Sequence, residues 1–279
     1  MNGRHIVVGV NGKASSTAAV RWAAAEAQLR RVDLHVVLAY QWRIPGRTFT
    51  SRGELVRTAG EHATAILHAA VSEARSRAPD IEVRASAVVG EPVPALLEAA
   101  AGAGLLVVGG RDRGDPGPML GVVTSQVAAY APCSVAVVRP GGHPDTNLVV
   151  VGLDDSPAAS TTAGAAFEEA ARRTSPALHA VTAFTAPRGS DPRTIAGERR
   201  RSLMAQLAPW RDKFPEIPVT VGVVHADAAT VLVEKSRRAG LVVLGAGDGA
   251  DFEALQLGPI RLHMLHHAES PVLIARTRD

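Results

Sequence analysis

Short β-branched runs punctuate the chain at regular intervals. In the first half they fall at 5–10, 33–40, 81–89, 104–109 and 134–139. Between them apolar residues recur at helical spacing near 16–31, 53–78, 92–102 and 121–131. Strands such as LLVV (105–108) and VAVV (135–138) are apolar without interruption. A strand with one wet face alternates instead, so these are expected to be buried on both faces of a parallel sheet covered by helices. Regular strand–helix alternation predicts a doubly wound α/β domain of five parallel strands.

The pattern then repeats. IVVGVN at 6–11 returns as VVVGLD at 149–154, LHVVLAY at 34–40 as LHAVTAF at 178–184, and LLVVGG at 105–110 as LVVLGA at 241–246. The closing runs SVAVVR (134–139) and PVLIAR (271–276) match as well. Order and spacing agree throughout, which predicts two copies of one unit, 1–140 and 147–279, joined by PGGHPDT. In open α/β sheets ligands bind beyond the carboxyl ends of the strands, where the strand order reverses. In the first copy those ends are Gly9–Lys13, Ala39–Trp42, Val89–Glu91 and Gly109–Arg113.

Composition narrows the class. Hydrophobic residues make up 46% and charged residues 20%, a globular balance, and with 4% aromatics the core must be built from Ala, Val and Leu. Of the 30 basic residues only Lys13, Lys213 and Lys235 are lysine. The doublets Arg30-Arg31, Arg172-Arg173 and Arg237-Arg238 close helical segments, where positive charge suits the helix dipole. They read as solvated helix ends, and no basic motif interleaved with aromatics argues for nucleic acid. A single cysteine, Cys133, rules out an intrachain disulfide and fits a reducing compartment. The opening MNGRHIVVGV enters a strand at once and has no signal-peptide core, and the longest apolar stretch, 99–110, is too short to span a bilayer. A soluble, cytoplasmic protein without membrane contact is expected.

Three groups of residues carry a resemblance: VVGVNGKASSTAAVRWAAAEA, then VVGEPVPALLEAAAGAGLLVVGG, then the glycine loop leading to VVTSQVAAYAPCSVAVVR. The second copy answers with VVVGLDDSPAAS, VLVEKSRRAGLVVLGAG and LHHAESPVLIAR. In this order, twice, the sequence resembles the universal stress protein family in its tandem two-domain form. The resemblance implies a fold of the adenine-nucleotide α-hydrolase-like, Rossmann-like type, and an interaction module in place of an enzyme. It also implies self-association through the last strands, 134–139 and 271–276, as a pseudo-dimer within the chain or a homodimer. The protein partner is not named by the sequence.

In ATP-binding members an aspartate ends the first strand, and a loop patterned Gly-x2-Gly-x9-Gly-[Ser/Thr] wraps the phosphates. Glycines let backbone N–H groups approach the oxygens, and a helix N-terminus adds partial positive charge. On this resemblance the first copy offers Gly9, Asn11, Gly109, Gly110, Arg111, Arg113, Gly121 and Thr124, and the second Asp154, Gly245, Gly247 and Gly258. Neither set is complete. In the first copy Asn11 replaces the acid, Asp112 the second glycine and Val122 the hydroxyl, while the span to Gly121 is one residue short. Thr124 and Ser125 can substitute in part, and Arg111 and Arg113 either meet a phosphate or pair with Asp112 and Asp115. In the second copy Asp154 keeps the acid, but Asp248 replaces the second glycine and Pro259 removes a hydroxyl and a backbone donor. Asp248, Asp251 and Glu253 have no cation within the loop. Two like charges about 5 Å apart repel by roughly 3 kcal/mol at an effective dielectric near 20, a handicap for ATP that magnesium bridging would partly offset.

The expected function is a non-catalytic stress-response sensor or scaffold with degenerate adenine-nucleotide sites: ATP weak, confined to one half or lost, and magnesium only with nucleotide. The alternative is a full ATP-binding member with slow hydrolysis. No nucleophile–base pair converges. GAGDGA (245–250) fits a dinucleotide fingerprint but follows the fourth strand of its unit, with no suitable crossover after it. His263, His266 and His267 share a helix at metal-capable spacing, yet without companion ligands they read as structural. Cys133 reads as a small buried thiol, and Trp22, with Ala18 and Ala25, as core.

Overall fold

The computed structural model describes residues 5–41, 51–110, 121–141, 146–247 and 257–276. It divides into two compact units, residues 1–140 and 141–279.

Unit 1 runs β1 (Ile6–Val10), α1 (Ala14–Arg30), β2 (Leu34–Tyr40), α2 (Arg52–Arg77), β3 (Val83–Val89), α3 (Pro92–Ala100), β4 (Leu105–Gly109), α4 (Val122–Tyr130) and β5 (Ser134–Val138). Its strand order is β3-β2-β1-β4-β5, with every pairing parallel. The chain moves outward from β1 to β2 and β3, then returns to β4 on the other side of β1. That reversal opens the crevice at the ends of β1 and β4. Unit 2 repeats it as β6 (Leu148–Gly152), α5 (Ala159–Ala171), β7 (Ala177–Phe184), α6 (Pro192–Lys213), β8 (Val219–His225), α7 (Ala228–Ser236), β9 (Leu241–Gly245), α8 (Pro259–His267) and β10 (Val272–Ala275). Its order is β8-β7-β6-β9-β10, again parallel.

The central strands owe their place to uninterrupted apolar runs. In β4 and β9 every residue but the terminal glycine is buried. β3 and β8, at the far end of each order, are largely exposed or half-buried. Helix starts are fixed locally. Ser51 caps α2 by accepting from Glu54 N at 3.1 Å, Asp191 caps α6 and Asp227 caps α7, each satisfying main-chain donors that the helix cannot. Pro92, Pro192 and Pro259 occupy first-turn positions, where a missing N–H costs nothing.

Two readings of the sequence are corrected. Trp22 is half-buried; the inner face of α1 is Ala19, Val20, Ala23, Ala24 and Ala27, all fully enclosed. The doublet Arg172-Arg173 is no solvated end, because Arg173 is buried and faces Glu169, itself 5% exposed, at 3.6 Å. The equivalent pair in unit 1 is Glu26, 3% exposed, with Arg30 at 3.3 Å. Each helix therefore carries an i,i+4 ion pair at the same place in its unit.

Candidate functional site

At the end of β1, Asn11 turns its side chain back on the chain: Oδ1 accepts from Lys13 N at 3.0 Å. At the end of β6, Asp154 does the same, its Oδ1 accepting from Ser156 N at 3.0 Å and from Ser156 Oγ at 2.6 Å. Both are two-residue side-chain turns that set the exit from the first strand. Asp155-Ser156-Pro157 forms the turn, and α5 begins only at Ala159.

The glycines near these ends answer mainly to packing. A Cβ on Gly9 would lie 2.9 Å from Leu96 Cδ2 of α3, and one on Gly152 would lie 2.9 Å from Leu244 and 3.0 Å from Leu232. Gly109 lets the first turn of α1 approach, since a Cβ there would stand 2.7 Å from the Ser15 carbonyl oxygen. Gly245 does the same for Thr162 of α5, at 2.5 Å. Gly110 donates its N–H to Val138 O at 2.6 Å. Gly121 and Gly258 sit at the N-caps of α4 and α8. Gly247, at φ +95°, holds a backbone conformation that other residues rarely adopt. Arg111, Asp112, Arg113 and Asp115 in unit 1, with Asp248, Asp251 and Glu253 in unit 2, lie outside the described residues.

Thr124 and Ser125 donate to the main chain. Thr124 is buried and bonds Gly109 O at 3.0 Å, while Ser125 Oγ bonds Gly121 O at 3.3 Å and Val122 O at 3.1 Å. Each hydroxyl has one proton, so a phosphate oxygen would have to displace these bonds.

In unit 2 the strand ends enclose a cavity of about 300 Å³. Asp154, Gly245, Gly247 and Gly258 line it, beside Val181, Leu232 and Leu244 on its apolar side. It also contains a residue that the sequence reading missed. Arg261, on the first turn of α8, donates Nε–H to Gly245 O at 2.5 Å. Its Nη1 lies 3.0 Å from where a Cβ on Gly258 would stand, and its Nη2 3.0 Å from one on Gly247. Counting from the loop glycine, Arg261 occupies the position that Thr124 holds in unit 1, and both donate to the carbonyl that ends the fourth strand of their unit. Comparing Gly258-Pro-Ile-Arg with Gly121-Val-Val-Thr was the available signal.

Helix α6 holds the Asp154 turn from outside. Gln206 Nε2 donates to Asp154 O at 3.0 Å, Ser202 Oγ donates to Asp155 Oδ1 at 2.9 Å, and Arg199 pairs with Asp155. Beside the cavity, Asp227 at the start of α7 accepts from Thr230 N at 2.8 Å and from its hydroxyl at 2.9 Å. Those bonds hold its carboxyl below the ordinary carboxylate range. Among the described residues no three His, Cys, Asp or Glu side chains gather to hold a metal, and the rings of His263 and His267 pack at 4.3 Å. Cys133 is buried and in no disulfide. No described helix is long and apolar enough to cross a membrane.

Two doubly wound α/β units with a glycine-lined crevice at the strand-order reversal define a tandem Rossmann-like protein of the kind that carries small-ligand sites at its strand ends. The universal stress protein family profile matches residues 3–139 and again 146–276. Universal stress protein Rv2005c of Mycobacterium tuberculosis is 33% identical over 285 residues, 97% of this chain and 96% of the relative. Universal stress protein Rv2623 of the same species is 30% identical over 292 residues, again 97% and 96%. The crystal structure of a universal stress protein from Archaeoglobus fulgidus shares the fold across 99% of both chains, with a TM-score of 0.77 at 14% identity. The chain belongs to the universal stress protein family.

Proposed function

We propose that this protein is a cytoplasmic, non-catalytic stress-response sensor or scaffold in which adenine-nucleotide binding is weak and centred on unit 2. The cavity at the ends of β6 and β9 carries this reading, because Asp154, Gly245, Gly247 and Gly258 together line it. The residues fit a nucleotide: Asp154 stands where family resemblance puts the ribose, apolar Val181, Leu232 and Leu244 offer a face to a base, and Gly247 and Gly258 flank the phosphate end. In unit 1 the strand end is neutral Asn11, and Thr124 and Ser125 spend their protons on the main chain. Nucleotide occupancy would then bias how the chain meets a protein partner. Self-association through the apolar runs 134–139 and 271–276 belongs to the same proposal and rests on the sequence.

Calorimetry of the full chain with ATP and magnesium, joined to an assay of phosphate release, tests this reading. Weak binding at no more than one site per chain, without hydrolysis, is expected. Sub-micromolar binding at two sites, or steady phosphate release, would refute it.

A further inference from the structure

We infer that the outward face of α6 in unit 2 docks an acidic helix of a protein partner. The inner side of α6 is committed to its own unit: Arg199, Ser202 and Gln206 reach the Asp154 turn, and Leu203 and Leu207 are buried. On the opposite side Arg193, Arg200, Arg201 and Arg211 are exposed, and none of them pairs with a carboxylate among the described residues. At about 100° per residue, Arg193, Arg200 and Arg211 fall within about 20° of one line, which runs about 27 Å along the helix. Beside that line Gly197, Met204 and Ala208, all exposed, succeed one another at the seven- and four-residue spacing of a helix-packing seam. Arg201 closes its far side. The face is therefore a narrow seam of mostly small residues, which a second helix can approach closely, edged by cations.

The fold does not demand this charge. Helix α6 carries six basic residues against two acidic ones. Its counterpart in unit 1, α2, carries four against three, and there Arg57 is answered by Glu61 and Glu73 by Arg21. The spacing selects the partner. Arg193 and Arg200 stand two helical turns apart, and Arg200 and Arg211 three, so carboxylates repeating at those intervals on a facing helix meet each guanidinium. A base would find no aromatic ring to stack on, because Trp210 is half-buried and packs against Gly164. A lipid surface would find Met204 as the one large apolar side chain exposed on this helix, too little to insert.

The test is fluorescence anisotropy of the full chain with a labelled helical peptide of about three heptads, in about 0.15 M salt. The peptide has leucine and alanine along its seam and glutamates spaced to meet Arg193, Arg200 and Arg211. The comparison probes are a peptide of the same net charge broken by proline, vesicles containing phosphatidylserine, and duplex DNA. One helical peptide should bind per chain, about tenfold more tightly than the broken one, whose ordering costs affinity. Arg193→Gln with Arg200→Gln and Arg211→Gln should weaken it by about 3- to 100-fold, the range for three exposed ion pairs, with the circular dichroism spectrum unchanged. The triple glutamate variant at the same positions should take up a lysine version of the peptide that the native chain rejects. Absence of peptide binding, equal binding of the broken peptide, or native affinity in the triple glutamine variant would overturn the inference. So would vesicles or DNA binding more tightly than the peptide through the same arginines. None of these outcomes touches the calorimetry with ATP, so the nucleotide reading stands or falls separately.

Discussion

Replacing Gly164 by alanine sets two effects against each other. Gly164 lies in the interior of α5, where alanine in an unobstructed helix is favoured over glycine by about 1 kcal/mol. A Cβ at this position, however, would overlap Cη2 and Cζ2 of Trp210 and stand 2.9 Å from its Cε2. The indole is rigid and has Leu207 of α6, fully buried, one turn before it. Relief therefore requires α6 to move or Trp210 to leave its rotamer, and overpacking of this kind costs typically about 1–3 kcal/mol. The steric term wins, and unit 2 should lose up to about 2 kcal/mol net. Because Gln206, Ser202 and Arg199 tie α6 to the Asp154 turn, nucleotide affinity should fall as well. Urea denaturation of the full chain followed by far-ultraviolet circular dichroism reads the stability change. The control is Gly164→Ala combined with Trp210→Leu, in which the space is vacant and the alanine should restore about 1 kcal/mol relative to Trp210→Leu alone. If Gly164→Ala by itself stabilised the protein by that amount, the close approach of α5 and α6 described here would be wrong.

Further expectations concern the buried charges and the hydroxyl in unit 1. Glu169→Gln, which leaves buried Arg173 facing a neutral partner, should destabilise unit 2 by about 3–5 kcal/mol, whereas Glu169→Leu with Arg173→Met together should cost much less; denaturation of both variants checks this. Thr124→Val should cost about 1–3 kcal/mol through the unsatisfied Gly109 carbonyl, and ligand titration should show nucleotide binding unaltered if unit 2 holds the site. Burial lowers the pKa of His35 and His179 below the ordinary 6.5. The unfolded chain therefore takes up protons first as pH falls below 6.5, so stability is full above that value and declines towards the lowered folded-state values. The urea midpoint at pH 5 should lie below that at pH 7.5, with the difference reduced in His35→Gln/His179→Gln. Asp191 and Asp227, lowered by hydrogen bonds at their helix starts, add a second loss only as pH falls below 3.8.

The architecture was legible because β4, β9 and their neighbours are continuous apolar runs, and because the whole pattern occurs twice. Element boundaries such as 81–89 against the observed Val83–Val89 shift by only a residue or two. The phase of α1 was harder to read. Its inner face is made of alanines, which contrast little with their surroundings, so Trp22 drew the core towards itself although it is only half-buried. At the site, the strand-end residues and loop glycines could be read locally, as could their departures from the family pattern. The α6 clamp could not, since Ser202 and Gln206 lie 47 and 52 residues from the atoms they hold. Arg261 was hidden for another reason: an arginine on a first helical turn reads as surface charge until its backbone acceptor is known. Glu26–Arg30 and Glu169–Arg173 did leave a trace, an i,i+4 pair recurring at matched positions in both units.

Asn11 and Asp154 occupy one position and form one turn, although only the second bears a charge. The oxygen that shapes the backbone is common to amide and carboxylate, so the local architecture is indifferent to the exchange of NH₂ for O⁻. A duplicated chain can therefore change the charge of that side chain while keeping its bond to the N–H two residues on. Around that shared bond the two ends diverge: Gly12-Lys13 stands against Asp155-Ser156, and α1 begins at Ala14 whereas α5 begins only at Ala159.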